Sequence, residues 1–239
     1  MPWKWYDGEV VGIENMNTTT KKFWLKTDEK IEFEAGQFVT MDLPISEKRL
    51  KRWRSYSIAN IPNDERLLEF CIVKLEGGAG TQYLFEELKT GQQIKFKGPS
   101  GAFTLPEKLD HPIVMICTGT GVAPFRSMML KLKEKDEIHP PIHLIFGTRY
   151  KEGILYRQEL QKLAEEDKNF TYDIVLSREK KWQGYKGYVH QVYLEQYSEG
   201  GGDAHFYLCG WTNMIDEAIA NLINILKIDK SKIHYELYG

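Results

Sequence analysis

The chain is poor in cysteine, has no long apolar run and carries no excess of either charge, and each lack removes a class of protein. Its three cysteines, Cys71, Cys117 and Cys209, are odd in number and far apart. They form neither a disulfide framework nor a C-x-x-C pair, and their spacing fits no zinc site or iron–sulfur cluster. The thiols are therefore expected to stay reduced, in a cytoplasmic protein. No apolar stretch approaches the ~18–20 residues that span a bilayer. Met1-Pro2-Trp3-Lys4-Trp5 has no apolar export signal. With 32 basic against 34 acidic residues the formal net charge is −2, which lacks the basic excess of a nucleic-acid binder. The six histidines show no ligand spacing, so no metal is expected, and no Ser/His/Asp constellation stands out.

What is present is ordinary for a folded protein: 42% hydrophobic and 28% charged residues in 239. That length allows one to two domains. The first half reads as short β-prone runs, Gln37–Leu43, Arg54–Asn60, Leu67–Leu75 and Gln92–Lys97, with one short helix at Gln82–Leu88. Many short strands with little helix predict an antiparallel β-barrel.

The pattern changes after the proline-bracketed segment Leu105–Pro112. Apolar strands Ile113–Cys117, Ile142–Phe146, Tyr172–Leu176 and His205–Cys209 then alternate with helical patterns. Phe125, Met128, Met129 and Leu132 mark the first helix, Tyr156, Leu160, Leu163 and Ala164 the second, and Ile215, Ala218, Ile219, Leu222 and Leu226 the last. Ile233–Tyr238 adds an edge strand. Such alternation predicts an α/β domain with a doubly wound parallel sheet. The expected division is a barrel over 1–108 and an α/β domain over 109–239.

Four segments carry candidate chemistry. Thr118-Gly119-Thr120-Gly121-Val122-Ala123-Pro124-Phe125 follows the first parallel strand and opens a helix. It reads either as a diphosphate cradle or as a plain tight turn, because the third glycine of the usual fingerprint is absent. Arg54-Ser55-Tyr56-Ser57 puts Arg54 and Tyr56 on one strand face. There a guanidinium can grip an anion in bidentate fashion and a phenol can stack on a flat ring, or the pair is merely an exposed Arg beside a half-buried Tyr. Gly77-Gly78-Ala79-Gly80-Thr81 offers a second anion loop or an ordinary helix entry. Cys209-Gly210 ends a strand at the carboxyl edge, where α/β sheets bind ligands, although an isolated cysteine is more often structural.

Taken in order along the chain, Arg-x-Tyr-Ser, Gly-Gly-x-x-Thr, Thr-Gly-Thr-Gly-x-Ala-Pro-Phe and Cys-Gly resemble the ferredoxin–NADP⁺ reductase family of flavoproteins. Gly98-Pro99-Ser100-Gly101, Ser177-Arg178 and Glu236-Leu237-Tyr238 agree with it. The resemblance implies an FAD-binding barrel. Arg54 would take the flavin diphosphate, Tyr56 would pack on the ring system, and Ser57 would bond near its reactive nitrogen. Ile72, Val73, Gly78, Gly80, Thr81 and Tyr238 would complete the flavin site. The second domain would bind NAD(P)H through Gly119, Thr120, Gly121, Pro124, Ser177, Arg178, Cys209 and Gly210. Ser57, Cys209 and Glu236 would be the catalytic set, acting as helpers at the ring edge. Cys209-Gly210-Trp211-Thr212 departs from the family's Cys-Gly-x-Pro pattern, and Gly239 follows the terminal aromatic.

The activity so implied is transfer of electrons from NAD(P)H through FAD to a separate acceptor: ferredoxin, flavodoxin or an oxygenase component. No iron–sulfur segment is expected within the chain. A diaphorase or free-flavin reductase serving small acceptors is the neighbouring alternative. A non-catalytic nucleotide-binding or redox-sensing module is the third. Ser177, Arg178, Lys180, Lys181 and the Lys186-Gly187-Tyr188 element favour NADPH over NADH. The protein is expected to act as a monomer, and Lys48, Arg49, Lys51 and Arg52 form either a steering patch for an acidic partner or a solvated loop.

Overall fold

A computed structural model describes residues 4–136, 138–199 and 201–238. The chain forms two compact units, Met1–Leu105 with Ala123–Lys135, and Pro106–Val122 with Asp136–Gly239.

The first unit contains β1 (Trp5–Asn15), β2 (Thr20–Thr27), β3 (Phe38–Asp42), β4 (Trp53–Ser57), β5 (Leu67–Val73) and β6 (Gln93–Ser100), joined antiparallel in the order β4-β3-β6-β1-β2-β5. A bridge between Ile58 and Phe70, with Ala59 N–H donating to Glu69 O at 2.8 Å, joins the two ends of that order. The sheet thus closes into the expected barrel, around a core that includes Val10, Leu25, Val39, Met41, Phe70 and Phe96.

β1 and β2 are not among the strands expected from the sequence. In β2 only Thr20, Phe23, Leu25 and Thr27 are buried, while Lys21, Lys22, Trp24 and Lys26 are not. One-sided strands of this kind look polar when averaged over a window. A short α1 (Arg49–Arg52) before β4 is not expected from the sequence, and the helix expected at Gln82–Leu88 begins earlier, as α2 (Ala79–Gln82), and runs into a wider turn at Tyr83–Glu87.

The helix that follows the 119–121 turn, α3 (Val122–Lys135), packs on the barrel from Ala123 onward. Phe125 meets Phe103 at a ring distance of 5.7 Å. Ser127 Oγ donates to Asn60 O at 2.6 Å, and Arg126 Nη1 to Ala59 O at 2.7 Å.

The second unit contains β7 (Ile113–Thr118), β8 (Ile142–Thr148), β9 (Phe170–Leu176), β10 (Tyr185–Lys186), β11 (His205–Trp211) and β12 (Ile233–Tyr238). All pair in parallel, in the order β10-β9-β8-β7-β11-β12. Its other helices are α4 (Arg157–Glu166), α5 (Val189–Gln196) and α6 (Thr212–Asn224). Val114, Ile116, Phe206 and Leu208 pack with Val192 and Tyr193 of α5 and Ile215 and Ala218 of α6. α5 is not expected from the sequence, because its eight residues give barely two turns of periodicity. The strand order reverses between β7 and β11, and the carboxyl ends of those two strands are the switch point of the sheet.

Candidate functional site

In the barrel, β4 carries Arg54 and Tyr56 two residues apart, and the Gly77–Thr81 loop comes to meet Arg54. A Cβ added at Gly80 would stand 2.9 Å from Arg54 Cγ and 3.2 Å from its Nε. A side chain at this position would have to push the arginine aside. Thr81 Oγ1 ties the loop shut, accepting from Leu75 N–H at 3.0 Å and donating to Gly78 O at 3.1 Å. Arg54 Nη1 donates to Lys51 O at 3.0 Å and Trp53 O at 2.7 Å. Both Nη1 hydrogens are thereby used, which fixes the guanidinium and keeps its Nη2 edge for an anion.

Tyr56 is half-buried against the barrel core. Burial pushes its hydroxyl up to about 12, partly opposed by the charge of Arg54. It stays a neutral phenol with a face and a donor to offer. Ser57 is buried at the end of the strand, across from Phe38. Ile72 is buried and Val73 half-buried at the end of β5. A cationic fork against a glycine loop, with a flat aromatic two residues along the same strand, suits a diphosphate joined to a planar ring.

In the second unit the turn Gly119–Gly121 leaves β7 and lies on the end of β11. A Cβ at Gly121 would stand 2.2 Å from Cys209 O and 2.6 Å from Cys209 C. A Cβ at Gly210, whose φ is +147°, would stand 2.5 Å from Thr118 Oγ1. The two glycine motifs are therefore in backbone contact. Gly119 has φ +54° with open space where a Cβ would be, so it serves the turn and not the packing. Pro124 is the third residue of α3, where an N–H would have no acceptor within the helix.

Cys209 is fully buried and stands in register with Cys117 on one side and Glu236 on the other. Burial, with the neighbouring Cys209, drives the Cys117 thiol well above its usual range. Thr118 Oγ1 is buried with no hydrogen-bond partner among the described residues. An orphaned hydroxyl beside a glycine cradle at the switch point fits a polar ligand group. Thr118 is a site residue that the sequence pattern does not single out; its place at a strand end before two glycines is the available signal. Tyr238 closes β12 opposite Trp211, while its ring and all of Gly239 lie outside the described residues.

Ser177 and Arg178 are not gathered with Cys209 but stand beyond β9, three strands along. Ser177 N–H bonds Thr148 O at 2.9 Å and Arg178 N–H bonds Arg149 O at 3.0 Å. Lys186 pairs with Leu176, and Gly187 N–H bonds Leu176 O at 3.1 Å, so the Lys-Gly-Tyr element flanks Ser177. Trp182, which no sequence motif marks, has the charges of Lys151 and Arg157 at 5.8 and 5.6 Å from its ring centre.

Residues 8–105 match the family model described as oxidoreductase FAD-binding domain, and residues 115–219 the one described as oxidoreductase NAD-binding domain. Ferredoxin–NADP reductase B of Sorangium cellulosum is 35% identical over 213 residues, covering 86% of this chain and 85% of that protein. The phenol hydroxylase P5 protein of Acinetobacter pittii is 33% identical over 236 residues, covering 98% of this chain and 65% of that protein. The chain thus spans about two thirds of the length of that relative. A cytochrome P450 reductase of Amycolatopsis has a similar structure, with TM-score 0.88 and 26% identity over 99% of this chain and 70% of that one. Two oxidoreductase modules in this order, each with its glycine motifs assembled, make the chain a member of the ferredoxin–NADP⁺ reductase-like family of flavoproteins.

Proposed function

We propose that this protein is an FAD-dependent NAD(P)H reductase that passes electrons to a separate acceptor, a ferredoxin, a flavodoxin or an oxygenase component, in the cytoplasm. The observation that carries the reading is the pairing of Arg54 with the Gly78–Thr81 loop in one unit and of Gly121 with Cys209-Gly210 in the other. Each pairing is a backbone cradle of the kind a dinucleotide diphosphate needs. Bound FAD would accept a hydride from the nicotinamide and release electrons singly.

The chain's own part is to hold and orient. Arg54 neutralises diphosphate charge, and Tyr56 covers the flavin ring as a neutral phenol. Ser57 donates a hydrogen bond at the ring edge. Thr118 gives its unpartnered hydroxyl to the nicotinamide end, while the buried Cys209 wall excludes water. Glu236, in register with Cys209, supplies a carboxylate at the same strand ends. Arg178, with Lys180, Lys181 and Lys186, favours the 2′-phosphate of NADPH over NADH. Among the described residues no helix is long and apolar enough to cross a membrane.

The test is the visible spectrum of protein purified with ample FAD, followed by anaerobic titration with NADPH and then NADH. A yellow protein bleached by nucleotide is expected, with NADPH effective at the lower concentration. Protein that takes up no flavin refutes the reading.

A further inference from the structure

Between Leu176 and Tyr185 the chain leaves β9 and returns as β10, and the loop so formed carries the exposed cations Arg178, Lys180 and Lys181. Backbone hydrogen bonds hold its two ends. Ser177 N–H reaches Thr148 O at 2.9 Å and Arg178 N–H reaches Arg149 O at 3.0 Å, while Gly187 N–H returns to Leu176 O at 3.1 Å. Between those ends the anchor is a side chain. Trp182 Nε1–H donates to Ile174 O at 3.3 Å, tying the middle of the loop to β9. The indole also lies on the loop's own backbone, since a Cβ added at Gly184 would stand 2.6 Å from Nε1 and 3.0 Å from Cε2. Two elements outside the loop reach the same ring: Lys151 in the turn Lys151–Gly153 and Arg157 at the start of α4, with charges 5.8 and 5.6 Å from its centre.

A loop with three cations close in sequence resists ordering, because the charges repel and the long side chains have rotamer freedom to lose. A phosphate that had to gather such a loop would lose affinity to the ordering; a loop already folded spares it that loss. The indole supplies the fold. One N–H and one flat face fix the loop against β9, and the π-face lets Lys151 and Arg157 stand beside a segment that is already basic. NADH has no 2′-phosphate to meet these cations, so the clamp serves NADPH alone.

We propose that Trp182 is a positioning residue for nucleotide choice: bonded to Ile174 O and lying on the Gly184 backbone, it holds the loop of residues 177–184 in the shape that presents Arg178 and its neighbouring lysines to the 2′-phosphate of NADPH. The proposal rests on the reductase reading above and on the role given there to Arg178. It assigns Trp182 no contact with the nucleotide.

The test compares Trp182→Ala, Trp182→Phe, Gly184→Ala, Arg178→Ala and the double variant Trp182→Ala/Arg178→Ala with wild type, each loaded with FAD. Calorimetric titration gives the affinities for NADP⁺ and NAD⁺, and anaerobic stopped flow gives the limiting rate of flavin reduction. Trp182→Ala should weaken NADP⁺ binding roughly tenfold, the low end of a hydrogen bond to a charged group, and NAD⁺ binding by less than about twofold. Trp182→Phe keeps a ring for both cations and loses the donor, so about threefold is expected for NADP⁺. Gly184→Ala should push the indole off the loop and match Trp182→Ala with the tryptophan still present. In the Arg178→Ala background Trp182→Ala should add little, because two residues that act through one contact are not additive. The limiting rate at saturating NADPH should stay at the wild-type value in the Trp182 and Gly184 variants. Equal losses for both nucleotides, additive losses in the double variant, or a lower melting temperature with unchanged selectivity would show a purely structural role and overturn the proposal. Where Trp182→Ala fails to fold, wild-type selectivity in both Trp182→Phe and Gly184→Ala overturns it. Wild type that binds NAD⁺ as tightly as NADP⁺ also overturns it and leaves the reductase reading standing, whereas FAD-loaded wild type that neither nucleotide reduces sinks that reading itself.

Discussion

Gly119 and Gly121 belong to the same turn and should fail for different reasons when replaced by alanine. At Gly121 the added methyl would face Cys209 O at 2.2 Å, Cys209 C at 2.6 Å and Gly210 Cα at 2.9 Å, all backbone atoms. Reaching an ordinary contact of 3.4 Å requires the turn and the end of β11 to part by about 1.2 Å. That is severe overpacking, worth ~3 kcal/mol. At Gly119 no atom lies within 4 Å of the added methyl, and the cost is the left-handed backbone at φ +54°, ~1 kcal/mol. For a unit of this size ~1 kcal/mol moves the melting temperature by roughly 4 °C. Gly121→Ala should therefore melt roughly 12 °C lower and Gly119→Ala about 4 °C lower in the α/β transition, read by scanning calorimetry. Because Gly121→Ala moves the cradle itself, its affinity for NADPH should fall by more than tenfold. FAD content should stay normal in both, since Arg54 and the Gly78–Thr81 loop belong to the other unit. Equal melting losses, or a larger one in Gly119→Ala, would refute the assignment of close backbone approach to Gly121.

Arg54→Ala should weaken FAD retention by ~1.5–3 kcal/mol, the range of a hydrogen bond to a charged group, measured by equilibrium dialysis of the flavin; unchanged retention would remove Arg54 from the diphosphate site. Arg178→Ala should raise KM for NADPH strongly and leave that for NADH nearly unchanged, whereas equal losses would sink the 2′-phosphate role. Acid should loosen the second unit. His205 and His234 bond each other at 3.0 Å, and His205 stacks on His111 at 3.7 Å. Burial and the neighbouring imidazoles hold the pKa values of both His205 and His234 below the usual 6.5. The unfolded chain then binds more protons than the native one, so stability is full above pH 6.5 and falls as the pH drops below it. The melting temperature should decline between pH 7.5 and 5, and less steeply in His234→Gln; parallel profiles would refute the cluster as the cause.

Much of this molecule is legible without coordinates, for identifiable reasons. The buried strands β7, β8, β9 and β11 show as unbroken apolar runs because both faces of a parallel sheet are covered. Arg-x-Tyr-Ser and the glycine turns show because each is local in sequence. β1 and β2 do not show, since residues such as Asp7, Glu9, Glu14, Lys21, Lys22 and Lys26 interrupt their apolar faces. The network of Arg126 with Glu69 and of Ser127 with Asn60 does not show either, because its partners lie 57 and 67 residues apart (69 to 126, and 60 to 127) and nothing local marks an arginine as buried. Nor does a sequence pattern reveal that a helix opening from the α/β sheet packs on the barrel. Periodicity says which face of a helix is apolar and is silent about what covers it.

That location of α3 bears on how the protein can be dissected. A barrel joined at its seam by one bridge, Ile58 to Phe70, has two strands, β4 and β5, close to being open edges. α3 acts there as a clasp, its side chains occupying the carbonyls of Ala59 and Asn60 and neutralising Glu69. A fragment cut at residue 105 keeps every strand of the barrel and loses the clasp. It would bare a carboxylate and two edge carbonyls at the point where the sheet is least paired, the situation that invites strand exchange and aggregation. A flavin module made to stand alone from this chain should carry residues 123–135 back to the seam, through a new linker if need be, because a helix that belongs to the barrel is encoded outside it.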